Sequence, residues 1–385
     1  MAQTQHAVIT DAMLADVRKR IGVEWTPKEP YYNTQATRDT IRHFCDGIGD
    51  DNPLFRDEAY AKKSRWGRII APPGFYYSVF LIGRGAGLPG IHGWFSGGDW
   101  EFYRPLFLDE SVTPYVTMTD LTEKKSTHAG RIFFQYSKGL YKVASGEVTA
   151  KAIGWTARAE RQAAGEHGRE KHKAIKPATY TPEEMDRIVK AAVEEKPRGA
   201  TPRYWEDVNV GDAVDTIVKG PLSMRDMYAW LMGGGSPFMK AHGIFYKFVH
   251  RHPAAVMVDS TTGRVDVPEL VHMEESRATE IGVAGAYDYG PQRMAWMFNL
   301  VTSWMGDDAF LWKLYAEVRR FNVVGDTNWL KGKVTRKYEE KGMRLVDLEI
   351  WAENQRGEIT TPGRASVSLP SRQHGRAALP PKYQG

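Results

Sequence analysis

The segment 100-WEFYRPLFLDES-111 returns later in the chain as 316-AEVRRFNVVGDT-327, with Arg104 opposite Arg320 at an offset of 216 (320 minus 104). The same offset brings Gly74 onto Gly290. Further on, 146-GEVTAKAIGWTAR-158 parallels 357-GEITTPGRASVSL-369 at an offset of 211 (357 minus 146), the difference being a shorter loop. Self-similarity at this spacing means two copies of one structural unit. A chain of 385 residues has the length for two domains of ordinary size, so the duplication accounts for most of it.

Each copy runs in the same order: a short capped helix, an irregular loop, a longer apolar helix, then strands. Thr37 caps a helix whose apolar residues Ile41, Phe44, Cys45 and Ile48 follow the i, i+3, i+4, i+7 rule. Ser223 does the same in the second copy, with Asp226 as its capping-box partner and Met224, Met227, Tyr228 and Leu231 on the apolar side. The next helices are expected over 75-FYYSVFLI-82 and 294-MAWMFNLVTSWMG-306. The latter carries Met297, Leu300, Val301 and Trp304 on one stripe with Trp296 beside it, as a helix enclosed by a curved sheet requires. Strands follow, among them 131-RIFFQYSKGLYKVA-144 and 345-LVDLEIWAENQ-355, with turns at Ser145-Gly146 and Arg356-Gly357. The fold class is α+β.

The expected boundaries are a first unit over 1–158, a charged linker over 159–203, a second unit over 204–371 and a tail or strap over 372–385. Thr181-Pro182-Glu183-Glu184 predicts a short surface helix over 182–195 within the linker. The second unit also holds an insertion, 238–268, without counterpart in the first. Cys45 is the only cysteine, which excludes an intramolecular disulfide, and no run of eighteen apolar residues suggests a membrane span, so a soluble cytoplasmic protein is expected. The net charge of +5 is spread along the chain and no nucleic-acid motif accompanies it, so no nucleic-acid partner is expected. No dinucleotide, phosphate-loop or nucleophile-elbow pattern is present. His242, His250 and His252 lack cysteine or acidic co-ligands, and no metal is expected.

Three stretches carry chemistry: 49-GDDNPLF-55, Ala71-Pro72-Pro73, and 285-GAYDYGPQRMAW-296. With them the chain resembles the MaoC-like acyl dehydratase family, its first half being similar to a FAS1-like dehydratase domain, from about Pro30 to Ser371. The resemblance implies a double hot-dog fold, two antiparallel sheets each wrapped around a central helix and packed as a pseudo-dimer. It implies reversible hydration of a 2-enoyl-CoA to a (3R)-3-hydroxyacyl-CoA, with an acyl-CoA thioester as substrate and no cofactor beyond the coenzyme A of that substrate. A homodimer of double hot dogs is a further expectation. The abundant Trp, Tyr and Phe permit a bulky acyl group, and the insertion is expected to shape its pocket. The alternatives are a non-catalytic acyl-CoA-binding or partner subunit, or an acyl-CoA thioesterase.

In that family the loop Gly-Asp-x-Asn-Pro-x-His lets a carboxylate and an imidazole share one water, the pair serving as general base and then general acid. A backbone N–H at the start of the enclosed helix receives the thioester oxygen as enolate charge develops. Here the first half retains Asp50 and Asn52 but has Phe55 in place of the His, and Pro73, without an N–H, stands where the donor belongs. Asp50 is therefore either catalytic or the tie of its own loop. The second half lacks the carboxylate in 232-MGGGSPF-238, where Gly234 stands at its position, yet His272 precedes Met273-Glu274, and Gly290 stands at the oxyanion position. The resemblance thus implies His272 as the proton-handling group, with Asp288, or else Glu274, replacing the lost carboxylate. Asp288 equally fits a cap for the helix at Pro291. Tyr287 and Tyr289 fit packing, or a tyrosine hydroxyl near the enolate. Arg104, Arg319 and Arg320 are candidates for the phosphates of coenzyme A, or strand residues paired with acids.

Overall fold

The computed structural model describes residues 8–84, 87–125, 131–160, 175, 178–259 and 262–385. The first unit contributes strands β1 (Glu24–Trp25), β2 (His92–Phe102), β3 (Val112–Lys125), β4 (Arg131–Val143) and β5 (Val148–Ala159). The second contributes β6 (Ala213–Lys219), β9 (Phe310–Glu317), β10 (Asn328–Glu340), β11 (Met343–Asn354) and β12 (Ile359–Ser368). A two-stranded ribbon, β7 (Met257–Val258) and β8 (Val265–Asp266), belongs to the insertion.

The ten long-range strands form one sheet in the order β1-β3-β4-β5-β2-β9-β12-β11-β10-β6. Read from either edge, the order is the same once each first-unit strand is exchanged for its second-unit equivalent. The two copies therefore meet as a pseudo-dimer through β2 and β9, which pair antiparallel from Gly97 opposite Glu317 to Glu101 opposite Lys313. The duplication also survives in side chains: Arg104 Nε meets Glu147 at 2.8 Å and Arg320 Nη1 meets Glu358 at 3.1 Å, equivalent ion pairs in the two copies. This is the α+β double hot dog expected from the sequence.

The enclosed helix of the second unit, Gly290–Met305, is buried along nearly its whole circumference, as its apolar stripe required. The first unit departs from expectation. Its apolar run makes only a 3-10 turn, Pro73–Phe75, and one helical turn, Tyr76–Val79, before Phe80 becomes extended. The cause lies in the sheet: the Tyr141 hydroxyl donates to the Phe80 carbonyl at 2.9 Å, and glycine at 154 lets the chain sink onto β5, where a Cβ would come within 2.6 Å of the Ile82 carbonyl. Aromatic packing fills the space beside this turn, with Tyr76 and Tyr141 rings 5.0 Å apart and Trp100 edge-on to Phe298 across the units at 6.1 Å.

The capped helices Arg38–Ile48 and Met224–Gly233 cross against one another. Their caps, Thr37 and Ser223, define an offset of 186 (223 minus 37), which also makes Gly47 and Gly233 equivalent. A Cβ on Gly47 would lie 2.7 Å from the Ala229 carbonyl oxygen, and one on Gly233 still closer to that of His43. The helices touch backbone to backbone, which only glycine permits.

Within the predicted linker, 159–203, the helix Pro182–Glu194 carries the expected Thr181–Glu184 capping box; residues 161–174, 176 and 177 lie outside the described residues. The C-terminal segment is a strap: the Ala377 carbonyl accepts from Arg65 at 2.8 Å, and the Ala378 carbonyl accepts from Ser368 Oγ at 2.8 Å. Among the described residues no helix is long and apolar enough to cross a membrane.

Replacing Gly233 by Ala should overpack the helix crossing and cost about 1–3 kcal/mol, measured as a lower denaturant midpoint. The same change at the open Gly146 turn, where φ is +83° and nothing crowds a Cβ, should act through backbone strain alone and cost less.

Candidate active site

A cavity of about 720 Å³ opens at the amino end of the enclosed helix of the second unit. Its walls come from both copies: Tyr31, Arg84, Trp94 and Phe95 from the first, and Glu269, His272, Tyr289 and Gly290 from the second. The insertion, through Phe238, Phe248 and His252, closes another side. That insertion holds the helix His242–Arg251 and the β7–β8 ribbon around its own small apolar cluster.

His272 ends a 3-10 turn, Pro268–His272. Its Nδ1 lies 2.8 Å from the Tyr287 carbonyl. A carbonyl only accepts, so Nδ1 carries the proton and Nε2 keeps a lone pair. No protein group among the described residues occupies Nε2. The ring is stacked on Tyr289 at 3.9 Å and meets Tyr287 edge-on at 4.5 Å. Burial lowers its pKa to about 4, with the Tyr287 hydrogen bond working the other way, so the imidazole is neutral at physiological pH.

Glu269 stands three residues earlier on the same turn. Side chains at i and i+3 eclipse in a 3-10 helix, so the carboxyl and the imidazole project from one face, and both line the cavity. Glu269 accepts a hydrogen bond from Ser236 Oγ. Burial pushes its pKa up to about 7, opposed by Ser236, Arg84 and Tyr289. The helix-cap offset makes Ser236, and not Gly234 as the loop sequence suggested, the equivalent of Asp50 (236 minus 50 is again 186). A carboxylate from another segment is thus hydrogen-bonded to the residue that stands where the first loop has Asp50.

The other residues singled out from the sequence fall in different places. Asp288 lines the cavity, but its carboxylate is held by Arg293, whose Nε is 2.8 Å away and whose second N–H also binds it, and by Asn322 at 3.1 Å. Burial raises its pKa while the arginine opposes the rise. Asp288 anchors the start of the helix and is not placed as the free partner of His272. Glu274 faces away from the cavity, with Arg264 Nη2 on both its oxygens at 2.6 and 2.7 Å, because the turn that brings His272 inward carries residue 274 outward. Asp50 ties its own loop, Oδ1 accepting from the Asn52 N–H at 3.1 Å, and burial raises its pKa to about 6. Asn52 caps the helix Pro53–Arg56 through Leu54 N–H at 3.0 Å. With Phe55 and Pro73 it borders a separate cavity of only about 50 Å³, which Arg104, paired with Glu110 and Glu147, also borders.

Gly290 begins the enclosed helix. A Cβ there would sit 2.5 Å from Phe95 Cδ1, so no larger residue fits. Its N–H belongs to the first helical turn, which has no partner within the helix. Tyr289, its neighbour, is the N-cap residue and is buried. Arg320 and Arg319 line the same cavity, engaged with Glu358 at 3.1 Å and Glu317 at 2.6 Å. The cavity thus gathers His272, Asp288, Tyr289, Gly290 and Arg320, but not Asp50, Asn52 or Glu274. Glu269 was missed in the sequence. Its signal is the three-residue step in 268-PELVH-272, starting at a proline.

Residues 20–152 match the FAS1-like dehydratase domain region. A UPF0336 protein of Thermobifida fusca is 38% identical over 111 residues, 27% of this chain and 71% of that protein. Another, from Parafrankia sp., is 41% identical over 69 residues, covering 18% of this chain and 42% of that one. Among solved structures, a MaoC-like dehydratase superposes with a TM-score of 0.63 at 14% identity, covering 92% of this chain and 99% of the other. A putative MaoC domain protein dehydratase from Chloroflexus aurantiacus gives 0.57 at 14% identity, with 92% and 96% covered. A Mycobacterium tuberculosis protein described as a double hotdog gives 0.54 at 8% identity, with 91% and 96% covered. These structures share the fold. The chain belongs with the UPF0336 proteins and carries a FAS1-like dehydratase region in its first unit, and it shares the fold of the MaoC-like dehydratases.

A carboxyl whose pKa is higher folded than unfolded binds extra protons in the native state, so stability falls as pH rises from its unfolded value near 4.5 through about 7. Between pH 5 and pH 8 the native protein should therefore lose about 2 kcal/mol more than a Glu269→Gln variant, as read by denaturant unfolding at each pH.

Proposed function

We propose that this protein catalyses the reversible hydration of 2-enoyl-CoA thioesters to (3R)-3-hydroxyacyl-CoA. The observation that carries this reading is the placement of Glu269 and His272 on one face of a single turn, inside a large cavity at the amino end of an enclosed helix. A water between them would be held by two acceptors. Of the two, the carboxylate is the stronger base, with a pKa of about 7 against about 4 for the imidazole. Glu269 accordingly takes the proton, and His272 Nε2 orients the water through its second hydrogen.

The steps balance within the site. The water oxygen bonds to C3 as one O–H breaks toward Glu269, and the C2=C3 electron pair moves into the thioester as an enolate. The Gly290 N–H, at the positive end of the helix, stabilises the developing charge on the thioester oxygen. Glu269 then returns the proton to C2 and is a carboxylate again. Dehydration is the same path in reverse.

The cavity volume and its aromatic walls support a bulky acyl group, for which the short helix of the first unit leaves room. Arg319 and Arg320 on its rim suit the phosphates of coenzyme A. The first unit, with Phe55 and Pro73 at its own vestigial site, serves as a wall.

A panel of enoyl-CoA and acyl-CoA thioesters tests this directly. Hydration removes the enoyl absorbance without releasing thiol, hydrolysis releases thiol, and a binding subunit does neither; the last two results reject the proposal. Glu269→Gln should lower kcat by about 10²- to 10⁴-fold, and His272→Ala by a comparable factor, with substrate binding largely retained. For the native enzyme, kcat/KM for hydration should rise with pH and level off above about 7, as the base ionises.

A further inference from the structure

The Tyr289 side chain does more than pack. It is 6% exposed, and its hydroxyl has no hydrogen-bond partner of good geometry among the described residues. A phenylalanine would fill the same space and stack equally well on His272, without burying an unsatisfied hydroxyl. Tyr289 lines the same cavity as Glu269 and stacks on His272, three residues further along the Glu269 turn. Burial first, and then the charge of Glu269, raises the Tyr289 pKa, while Tyr289 in turn favours the ionised form of Glu269. Ser236 already donates to the same carboxylate from the loop on the other side.

We propose that Tyr289 is a positioning residue: its hydroxyl and that of Ser236 clamp the Glu269 carboxylate from two elements, leaving one lone pair directed at the water held by His272. The inference rests on the reading of Glu269 as the general base. A carboxylate with two free oxygens would rotate; one pinned by donors from the loop and the helix cap presents its base lone pair in a single direction. The clamp also accounts for serine at the position equivalent to Asp50, since a second acid there would repel Glu269. The charged and titratable groups around Glu269 are Tyr289 at the helix cap, Tyr31 and Arg84 from the first unit, and His272 on its own turn and in the same cavity, with the Ser236 hydroxyl on the loop. Of these, Ser236 and Tyr289 are the hydroxyls that favour the ionised Glu269 carboxylate as hydrogen-bond donors.

The test is a titration of Glu269 in full-length protein carrying ¹³C-labelled glutamate, with Glu269→Gln identifying the resonance, alongside the pH dependence of kcat/KM. Removing a donor to the ionised form makes ionisation harder, so Tyr289→Phe and Ser236→Ala should each shift the Glu269 midpoint upward by about one pH unit. The low-pH limb of kcat/KM should move by the same amount. A midpoint unchanged in Tyr289→Phe overturns the clamp. So does a variant with reduced kcat but an unmoved limb, which would assign the hydroxyl to the thioester oxygen instead. Shifted midpoints in a protein that hydrates no thioester would uphold the clamp and reject the hydratase reading, since the titration does not depend on turnover.

Discussion

The antiparallel pairing of β2 with β9 is the contact on which the rest of the molecule depends. It joins two half-sheets into one, and it brings Phe95, on the first-unit strand, over Gly290, at the start of the second-unit helix. Without that pairing the helix would end in solvent and its first N–H groups would be satisfied by water. With it, the amino end of the helix opens into a walled cavity where a small dipole has a large effect. The crossing of the two capped helices at Gly47 and Gly233 fixes the same relationship through a second contact between the units.

Given that frame, the two copies have different tasks. The first-unit loop keeps the outline of a hydratase loop but uses its polar groups to hold the assembly together. Asp50 and Asn52 close the loop on itself, and the neighbouring Tyr60 hydroxyl donates to Asp307, just past the end of the second-unit helix, at 2.6 Å. Trp66 and Arg65 reach the backbone of the same corner at 2.9 and 2.6 Å. One end of the enclosed helix is thus stapled by the first unit, and the other end faces the cavity. The short helix of the first unit follows the same division, since a full-length one would run into the space that Leu81 and Arg84 now border.

The carboxylate assignment shows where reading by resemblance stops. Asp288 has the right distance in sequence from Gly290, but a buried arginine five residues on, Arg293, requires a counterion, and a buried guanidinium without one would be far costlier than a displaced catalytic acid. Glu269 met no such demand. It lies beyond an insertion with no counterpart in the first copy, so neither the repeat nor the family loop pointed to it. Its relation to Ser236 exists only in three dimensions, across 33 residues of sequence.

From the sequence by itself came the duplication, the α+β class, the capped helices with their Thr37 and Ser223 ends, the fully apolar second helix and the inward position of His272. The place of His272 was implied by the family resemblance; the others follow from local periodicity, caps and an internal comparison, which are properties of neighbouring residues. Tertiary structure decided which unpaired acid lines the cavity with the imidazole, why the first helix stops at Phe80, and that the terminal segment is a strap. Each of those involves contacts between segments far apart in the chain: a tyrosine hydroxyl on a distant carbonyl, an arginine of the first unit on the terminal segment, a serine bonded to a glutamate across an insertion. Burial and charge pairing act through space, so their outcome is fixed only once the segments have met.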